Sequence, residues 1–278
     1  MEPGLYVVAT PIGNLGDISE RALQVLRSAD LVAAEDTRHS QRLLQHFGIA
    51  VQLVPYHDHS DQRAQDRIGR TLADGGIVAL VSDAGTPLIS DPGYRLVRAM
   101  QDRGHPVLPV PGPCAAVAAL SVSGLPTDRF LFEGFLPARP GPRDRRLEQV
   151  RGERATLVFY EAPHRIAATL EAMAACFGGT REAMLAREIT KTFETLVRGS
   201  LDDLCRFVAQ DANQRRGEIV LVVAGQAARP DELDEANAAL LRTLAEELPA
   251  KRAAAIVAEH SGLRKNRLYD YLLQQRDD

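Results

Sequence analysis

The sequence of 278 residues contains no tryptophan, and aromatic residues make up only 5% of it. Its three cysteines, Cys114, Cys176 and Cys205, are scattered and form no CxxC pair. This spacing predicts neither a disulfide framework nor a metal site of the zinc type. Such cysteine usage is typical of a reducing compartment, so we expect a cytoplasmic protein.

Long apolar runs and an excess of positive charge are also missing. No stretch approaches the roughly 18 apolar residues of a membrane span, and the first residues lack the basic and apolar regions of a signal peptide. The net charge of -4 gives no global basic field for nucleic acid, although a local patch would suffice. The 45% hydrophobic content and the length indicate a globular protein of about two domains.

Two apolar runs end in glycine- and proline-rich loops, one over residues 5–16 and the other over residues 77–93. Continuous apolar runs of this length are typical of buried parallel strands. Ligands of open α/β sheets bind beyond the carboxyl ends of such strands. The pair of loops therefore predicts one shared ligand site.

Strands and helices are predicted to alternate through the first half, which indicates a mainly parallel sheet with helices on both faces. The predicted strands cover residues 5–10, 31–34, 51–55, 77–82 and 107–110. The predicted helices cover residues 19–28, with Ser19 as N-cap, 37–47, 61–74, 92–103 and 113–123.

The second half continues with strands and helices and then becomes helical. Strands are predicted at residues 155–160, 183–187, 193–199 and 218–224, and helices at 163–177 and 201–210. Residues 137–146 read as an exposed loop entering a helix, and residues 231–275 as three short helices broken at Pro249 and Gly262. We expect domains at 1–124, 125–228 and 229–278.

The first loop, residues 10–16, has neither GxxxxGK[ST] nor GxGxxG, so phosphate binding of those kinds is not predicted. It can also be a plain tight turn between strand and helix. In the second loop, Gly85 would let a ligand approach the backbone, and Asp83 would accept hydrogen bonds from a ligand hydroxyl or ammonium group. The alternative for Asp83 is a helix or turn cap, and Asp91 reads as a helix start.

A third loop, residues 110–117, places small residues at a predicted helix N-terminus. Backbone N–H groups there could face a ligand. The alternative is close packing of the helix on a sheet. Cys114 is interpreted as a small buried residue and not as a nucleophile.

These loops together resemble a known family. The segments 9–19, 34–38, 80–93, 110–114 and 160–165 resemble the tetrapyrrole methylase superfamily and, within it, the ribosomal RNA small subunit methyltransferase I branch. The resemblance is collinear over residues 4 to 225. The tetrapyrrole enzymes tend to carry a Gly-x-Gly-Pro-Gly-Asp type of first loop, whereas this chain has Thr-Pro-Ile-Gly-Asn-Leu, which disfavours a porphyrin-like substrate.

The resemblance implies an α/β fold of two domains of the tetrapyrrole methylase type, with the donor site between them and a small C-terminal helical appendage. It implies S-adenosylmethionine as the methyl donor, 2′-O-methylation of a cytidine ribose in the decoding region of 16S rRNA, and a homodimer. The donor pocket that it implies consists of Pro11, Ile12, Gly13, Asp83, Ala84, Gly85, Thr86, Ala115, Ala116, Tyr160, Ala224 and Gly225.

A ribose 2′-hydroxyl is a poor nucleophile, so a base or an electrostatic partner would assist the transfer. The candidate catalytic residues follow predicted strands and are Glu35, Arg38, Glu161 and His164, with Asp36 and Glu188 as further acidic candidates. For each of them a solvated surface role or a salt bridge is the alternative.

Two basic clusters are candidates for RNA binding, one near residues 139–154 and one in the helical tail. The tail also reads as helix, glycine turn and helix, which is compatible with a helix-turn-helix module. The RNA candidates are Arg139, Arg143, Arg145, Arg146, Arg165, Lys191, Arg264 and Lys265. Solvated faces are the alternative. A methyltransferase for a tetrapyrrole-like molecule and a non-catalytic module that binds a nucleotide or RNA remain competing hypotheses.

Overall fold

The computed structural model describes residues 1–57, 62–227, 233 and 235–275. The chain divides into two compact units, Met1–Gly225 and Gln226–Asp278. The predicted start of a helix at Asp61, the start of the tail helices at Asp231 and the domain boundary at 228/229 lie outside the described residues. Among the described helices, none has the length and apolar character needed to cross a membrane.

The first sheet of the larger unit has five parallel strands in the order β3-β2-β4-β1-β5. The strands are β1 Gly4–Val8, β2 Leu31–Ala34, β3 Leu53–Pro55, β4 Ile77–Val81 and β5 Val107–Val110. The helices that follow them are α1 Glu20–Ser28, α2 Thr37–His46, α3 Gln62–Ala73, α4 Tyr94–Asp102 and α5 Ala115–Val122. The predicted alternation of strands and helices in this half is confirmed.

Local signals explain where the first two helices begin. The Ser19 hydroxyl accepts the N–H of Ala22, so Ser19 is the N-cap of α1, as predicted. The Asp36 carboxylate caps α2 by accepting the N–H of Arg38 at 2.8 Å. Each cap satisfies a helix N–H group that has no partner within the helix.

The helices cover the sheet in two pairs. Val25 and Leu26 of α1 and Leu44 of α2 pack on one face of the sheet. Residues of α3 and α4, such as Ile68 and Met100, pack on the opposite face. The helices that follow β1 and β2 thus lie on one side of the first sheet, and the helices that follow β3 and β4 lie on the other side.

The second sheet is mixed, with the order β6-β7-β10-β8-β9. Its strands are β6 Phe130–Phe135, β7 Thr156–Glu161, β8 Glu182–Arg187, β9 Thr195–Ser200 and β10 Ile219–Val223. Only β6 and β7 are parallel, and the other three pairings are antiparallel. The expectation of a mainly parallel sheet therefore holds for the first sheet alone, and β6 was not predicted from the sequence.

Both faces of the second sheet are covered. The helices α6 Pro140–Val150, α7 Ile166–Phe177 and α8 Leu201–Gln210 pack on one face. The other face packs against α5, through Ala116, Ala119 and Leu120. Helix α5 thus belongs to the first half in sequence but covers the second sheet. Most of the segment predicted as an exposed loop at residues 137–146 lies in α6, which begins at Pro140.

The smaller unit contains three described helices, α9 Glu235–Glu247, α10 Ala250–Ser261 and α11 Lys265–Gln274. Leu241, Val257 and Leu268 form its core, one from each helix. The breaks predicted at Pro249 and Gly262 are confirmed, since Pro249 precedes α10 and Gly262 ends it in the left-handed conformation at φ 73°.

Substitution of Gly225 by Ala is expected to destabilise the larger unit. A Cβ atom at Gly225 would lie 2.0 Å from the carbonyl oxygen of Arg154, so the backbone would have to move. Overpacking of this kind costs about 1–3 kcal/mol. Gly152→Ala is the control, because nothing lies within 4 Å of a Cβ there. Thermal unfolding of both variants tests the contact, and equal midpoints would contradict it.

Candidate functional site

The loops that follow β1 and β4 meet at the carboxyl edge of the first sheet. Thr10 and Gly85 exchange two backbone hydrogen bonds, of 2.8 Å and 3.0 Å. The strands β1 and β4 are neighbours, but the helices after them cover opposite faces of the sheet. In open α/β sheets a crevice opens at such a reversal, and ligands bind there. The structure thus brings the two predicted loops to one place.

The backbone at Gly85 requires glycine. Its φ of +80° lies in the left-handed region, and a Cβ would also lie 3.2 Å from a methyl group of Ile12. Most other residues would be strained in this conformation. The bare backbone of Gly85 lies at the surface of the main cavity.

The main cavity of about 420 Å³ lies between the two sheets of the larger unit. Its size is that of a small-molecule site. Five acidic residues line it, and no Lys, Arg or His occurs among its described lining residues. The acidic residues are Glu35, Asp83, Asp91, Glu161 and Glu218.

Most of the predicted donor residues line this cavity. Those found there are Ile12, Asp83, Ala84, Gly85, Thr86, Ala115 and Tyr160. Lining residues that the sequence analysis did not select include Ile89, Ser90, Asp91, Phe135, Ile189 and Gly217.

The Asp83 carboxylate connects two loops. One oxygen accepts the backbone N–H of Asp36 at 3.0 Å, which fixes the loop after β2 against the loop after β4. The same side chain lines the main cavity. The two interpretations of Asp83, as a local structural acceptor and as a ligand acceptor, are therefore compatible.

Tyr160 reaches from the second sheet to the start of α5. Its hydroxyl oxygen accepts the N–H of Ala116 at 3.1 Å, and its ring makes edge contacts with Phe132 and Phe135. Burial raises the pKa of Tyr160, so its hydroxyl stays protonated. Because Tyr160 occupies the N–H of Ala116, that group is not available to a ligand, and buried Ala116 packs against the sheet.

Asp91 is one of the two acidic residues of the cavity, the other being Glu218, that the sequence analysis missed as site residues. Burial raises its pKa, and the neighbouring Asp83 raises it further. The two residues on either side of Ile89, Leu88 and Ser90, have φ values of 74° and 65°. Backbone strain of this kind is found at functional sites. The sequence reads Asp91-Pro-Gly only as the approach to a helix.

The predicted place of Ala224 and Gly225 in the donor pocket is wrong. Strand β10 runs antiparallel to β7, with Val220 opposite Tyr160 and Val223 opposite Leu157. The start of β10 therefore faces the main cavity, and its end lies at the other edge of the sheet. Gly225 instead permits close packing against Arg154.

A second cavity of about 410 Å³ adjoins the main one, and we call it the α2 cavity. Predicted donor residues Pro11 and Gly13 line it, together with Lys191 and residues of α2. The lining residues that the two cavities share are Ile12, Asp83, Ala84 and Glu218. Pro11 and Gly13 thus lie beside the main cavity and not in it.

Two of the predicted catalytic residues lie at the surface. The Arg38 side chain is 87% exposed and pairs with Asp36 at 3.0 Å. This hydrogen bond lowers the pKa of Asp36 to about 2. His164 is exposed in the turn before α7. Glu35, by contrast, lines the main cavity.

Glu161 lines the main cavity too, but its carboxylate has internal partners. It pairs with Arg165 at 3.0 Å and accepts the Thr169 hydroxyl at 2.5 Å. Arg165 in turn donates to the carbonyl of Leu136 at 2.6 Å. These contacts join the end of β7, the start of α7 and the segment after β6. The structure thus shows for Glu161 the salt bridge that the sequence analysis gave as the alternative to a catalytic role, with Arg165 as the partner.

Three of the other predicted RNA residues form ion pairs within the protein. Arg146 donates twice to Glu133, whose side chain is only 3% exposed, and Arg143 pairs with Asp144. Lys191 bridges Glu188 and Glu218 at 2.9 Å and 3.0 Å. Exposed positions are held by Arg139, Arg145, Arg264 and Lys265.

In the bridge at Lys191, the effect of burial on the pKa values opposes the effect of the hydrogen bonds. Burial by itself would lower the pKa of Lys191, but hydrogen bonds to the two glutamates outweigh it and raise the pKa. Burial likewise works to raise the pKa of Glu188, yet its hydrogen bonds with the Glu218 backbone and with Lys191 lower it overall. Both side chains therefore remain charged, and the bridge joins the loop after β8 to the start of β10.

Comparisons with known proteins were made for the whole chain. Residues 4–205 match the family described as tetrapyrrole (corrin/porphyrin) methylases, and residues 231–276 match the RsmI C-terminal HTH domain. The chain is 56% identical to the ribosomal RNA small subunit methyltransferase I of Pseudomonas aeruginosa, over 98% of this chain and 97% of that protein. It is 50% identical to the enzyme of the same name from Escherichia coli O157:H7, over 98% and 95%.

A solved structure with the same fold is the uroporphyrin-III C-methyltransferase of Thermus thermophilus complexed with S-adenosyl homocysteine. The TM-score is 0.53 at 19% sequence identity, and the match covers 80% of this chain and 97% of the other. The likeness concerns the fold of the larger unit.

Substitution of Arg165 by Ala is expected to lower stability strongly. The change would leave the buried carboxylate of Glu161 without its cation, and breaking a buried ion pair in this way costs about 3–5 kcal/mol. Since the Arg165 side chain is 20% exposed, we expect about 3 kcal/mol. The control is His164→Ala, at the neighbouring exposed residue. This variant should leave the denaturant midpoint unchanged. A loss that was the same in both variants would show that the ion pair contributes nothing.

Proposed function

Since the chain belongs to the tetrapyrrole methylase family and, within it, to the ribosomal RNA small subunit methyltransferase I group, we propose that it methylates 16S rRNA in the small ribosomal subunit. The methyl donor is S-adenosylmethionine, and the acceptor is the 2′-oxygen of a cytidine ribose in the decoding region. The reaction takes place in the cytoplasm, where the subunits are assembled.

The observation that carries the donor assignment is the charge of the main cavity. Five acidic residues and no described Lys, Arg or His line it, and although Glu161 and Glu218 are paired with Arg165 and Lys191, this lining suits a cationic ligand and disfavours one with several phosphates. S-adenosylmethionine carries a sulfonium and an ammonium group against one carboxylate. When bound, it supplies a methyl group that is already activated for transfer.

The residues of the cavity fit such a ligand in size and in kind. The volume of about 420 Å³ and the bare backbone at Gly85 allow an adenosine-sized molecule to lie close to the loop after β4. Asp83 and Asp91 are suitable acceptors for its ammonium or hydroxyl groups. Apolar side chains such as Ile12, Ile89 and Ile189 exclude water around it.

The chain's own part in the transfer is alignment and removal of one proton. Holding the 2′-oxygen in line with the methyl group accounts for much of the rate that such an enzyme supplies. The proton of the hydroxyl must go to an acceptor as the oxygen–carbon bond forms. We assign this role to Glu35, which lies after β2 at the carboxyl edge of the first sheet and lines the main cavity.

RNA contacts outside the cavity are proposed for the exposed basic residues. Arg139 is the N-cap of α6 and Arg145 lies in the middle of that helix, whereas Arg264 and Lys265 lie at the start of α11. In helix-turn-helix modules the second helix contacts nucleic acid, and α11 follows α10 after the Gly262 turn. We also propose a homodimer, the commonest closed symmetry of soluble oligomers.

Transfer of labelled methyl groups tests the function. Purified protein is incubated with radiolabelled S-adenosylmethionine and small subunits that lack endogenous modification, and the label is mapped by nuclease digestion. Label on one cytidine 2′-oxygen is the expected result. No label on RNA, with donor binding retained, would contradict the RNA assignment and favour a small-molecule acceptor.

Substitution of Asp83 by Asn is expected to weaken donor binding without unfolding the chain. The amide keeps an oxygen for the N–H of Asp36 but removes the charge that faces the cavity. Hydrogen bonds to charged groups contribute about 1.5–3 kcal/mol, so the dissociation constant should rise at least about tenfold. Isothermal titration measures it, with exposed Asp74→Asn as the control. Unchanged affinity would move the donor out of the main cavity.

A further inference from the structure

The α2 cavity has basic side chains in its lining beside the acidic Asp83 and Glu218, which it shares with the main cavity. His39, Arg42 and His46 line it from α2. Their spacing of three and then four residues places them on one face of the helix. The main cavity has no such side chains among its described lining residues. Two adjoining cavities of similar size thus differ in that only the α2 cavity offers basic side chains among its described lining residues.

In the part of the chain that the structure describes, the basic side chains of α2 that line this cavity take part in no ion pair. Arg42 and His39 are exposed, and across the described residues neither side chain has an ion-pair or hydrogen-bond partner. The ring of His46 makes an edge contact with Phe47 at 4.8 Å. Lys191, on the other side of the cavity, already bridges Glu188 and Glu218. A phosphate group in this cavity would therefore find its charge partner on α2.

The two cavities share one part of their wall. Ile12, Asp83, Ala84 and Glu218 line both of them, so a ligand in the α2 cavity lies next to a ligand in the main cavity. Asp83 and the Thr10–Gly85 bridge hold this wall in place. The position is suitable for an acceptor that must approach the donor.

The remaining lining of the α2 cavity is mixed. Pro11, Leu15 and Leu43 contribute an apolar part, and Thr10, Asp83, Lys191 and Glu218 contribute polar and charged groups. Enzymes that modify one nucleotide take it out of the stack and hold its base between apolar or aromatic side chains. Phosphates on either side of such a nucleotide are bound by Arg and Lys and by other donors. The volume of about 410 Å³ is in the range of small-molecule sites.

We propose that the α2 cavity is the acceptor site, which takes the target nucleotide of the RNA with its flanking phosphate on His39, Arg42 and His46. This inference rests on the proposed function, since it assumes an RNA acceptor. It adds α2 to the RNA surface, whereas the sequence analysis placed that surface on residues 139–165, Lys191 and the helical tail.

Reversal of one charge tests the site. Arg42→Glu is expected to raise the KM for small subunits at least tenfold, and to reduce by about one the slope of log affinity against log salt concentration, because one phosphate contact is lost. The dissociation constant of S-adenosylmethionine should stay within twofold. The matched control is Arg27→Glu, an exposed arginine in the last turn of α1, at the opposite edge of the sheet.

The control separates a local contact from the effect of net charge. Equal changes in KM and salt slope for the Arg42 and Arg27 variants would overturn the inference. So would an Arg42 variant that methylates subunits as well as the unmodified protein does. If the unmodified protein transfers no methyl group to RNA, the proposed function fails first and the inference falls with it.

Cross-linking gives a second and independent readout. A photoreactive phenylalanine analogue placed at Leu43, which lines the α2 cavity, is expected to cross-link within a few nucleotides of the methylated cytidine. The same analogue at exposed Gln24 of α1 is the control. Cross-links from Leu43 to a distant part of the RNA, or none above the Gln24 level, would place the acceptor elsewhere.

Discussion

The parallel direction of the first sheet is the constraint on which the rest of the larger unit depends. Because all five strands run the same way, the loops after them collect at one edge. The helices after β1 and β4 cover opposite faces of this sheet, so a crevice opens between them at the carboxyl edge. The hydrogen bonds between Thr10 and Gly85 close the bottom of that crevice and fix its shape.

The second sheet completes the main cavity through a different arrangement. Its antiparallel pairings bring the end of β7 and the start of β10 to the same edge. Helix α5 leaves the first sheet and packs on the second, and Tyr160 caps its N-terminus. The buried pair of Glu161 and Arg165 then connects β7, α7 and the segment after β6. Burying this charge is tolerable because the carboxylate has several partners.

The charges around the crevice are sorted by element. Acidic side chains at or near strand ends line the main cavity, and two of them, Asp83 and Glu218, also line the α2 cavity, where one face of α2 adds basic side chains. Lys191 stays with Glu188 and Glu218. A cationic donor in the main cavity and an anionic acceptor in the α2 cavity would thus lie next to each other, and the basic side chains of α2 would face the acceptor.

The sequence by itself determined the alternation of the first half, the N-cap at Ser19, the tail breaks at Pro249 and Gly262, and the two loops that meet in the crevice. These depend on local signals, such as apolar runs, caps and turn residues. The tertiary structure decided those features that depend on the direction and the pairing of the strands. Antiparallel pairing moved Ala224 and Gly225 away from the cavity, and ion pairs engaged Glu161, Arg165 and Arg146. The residue pattern of one strand does not show whether it pairs parallel or antiparallel with its neighbour. The sequence also does not show which residue a charged side chain pairs with. The role of Asp91 and the shared wall of the two cavities therefore became visible only when distant segments were packed together.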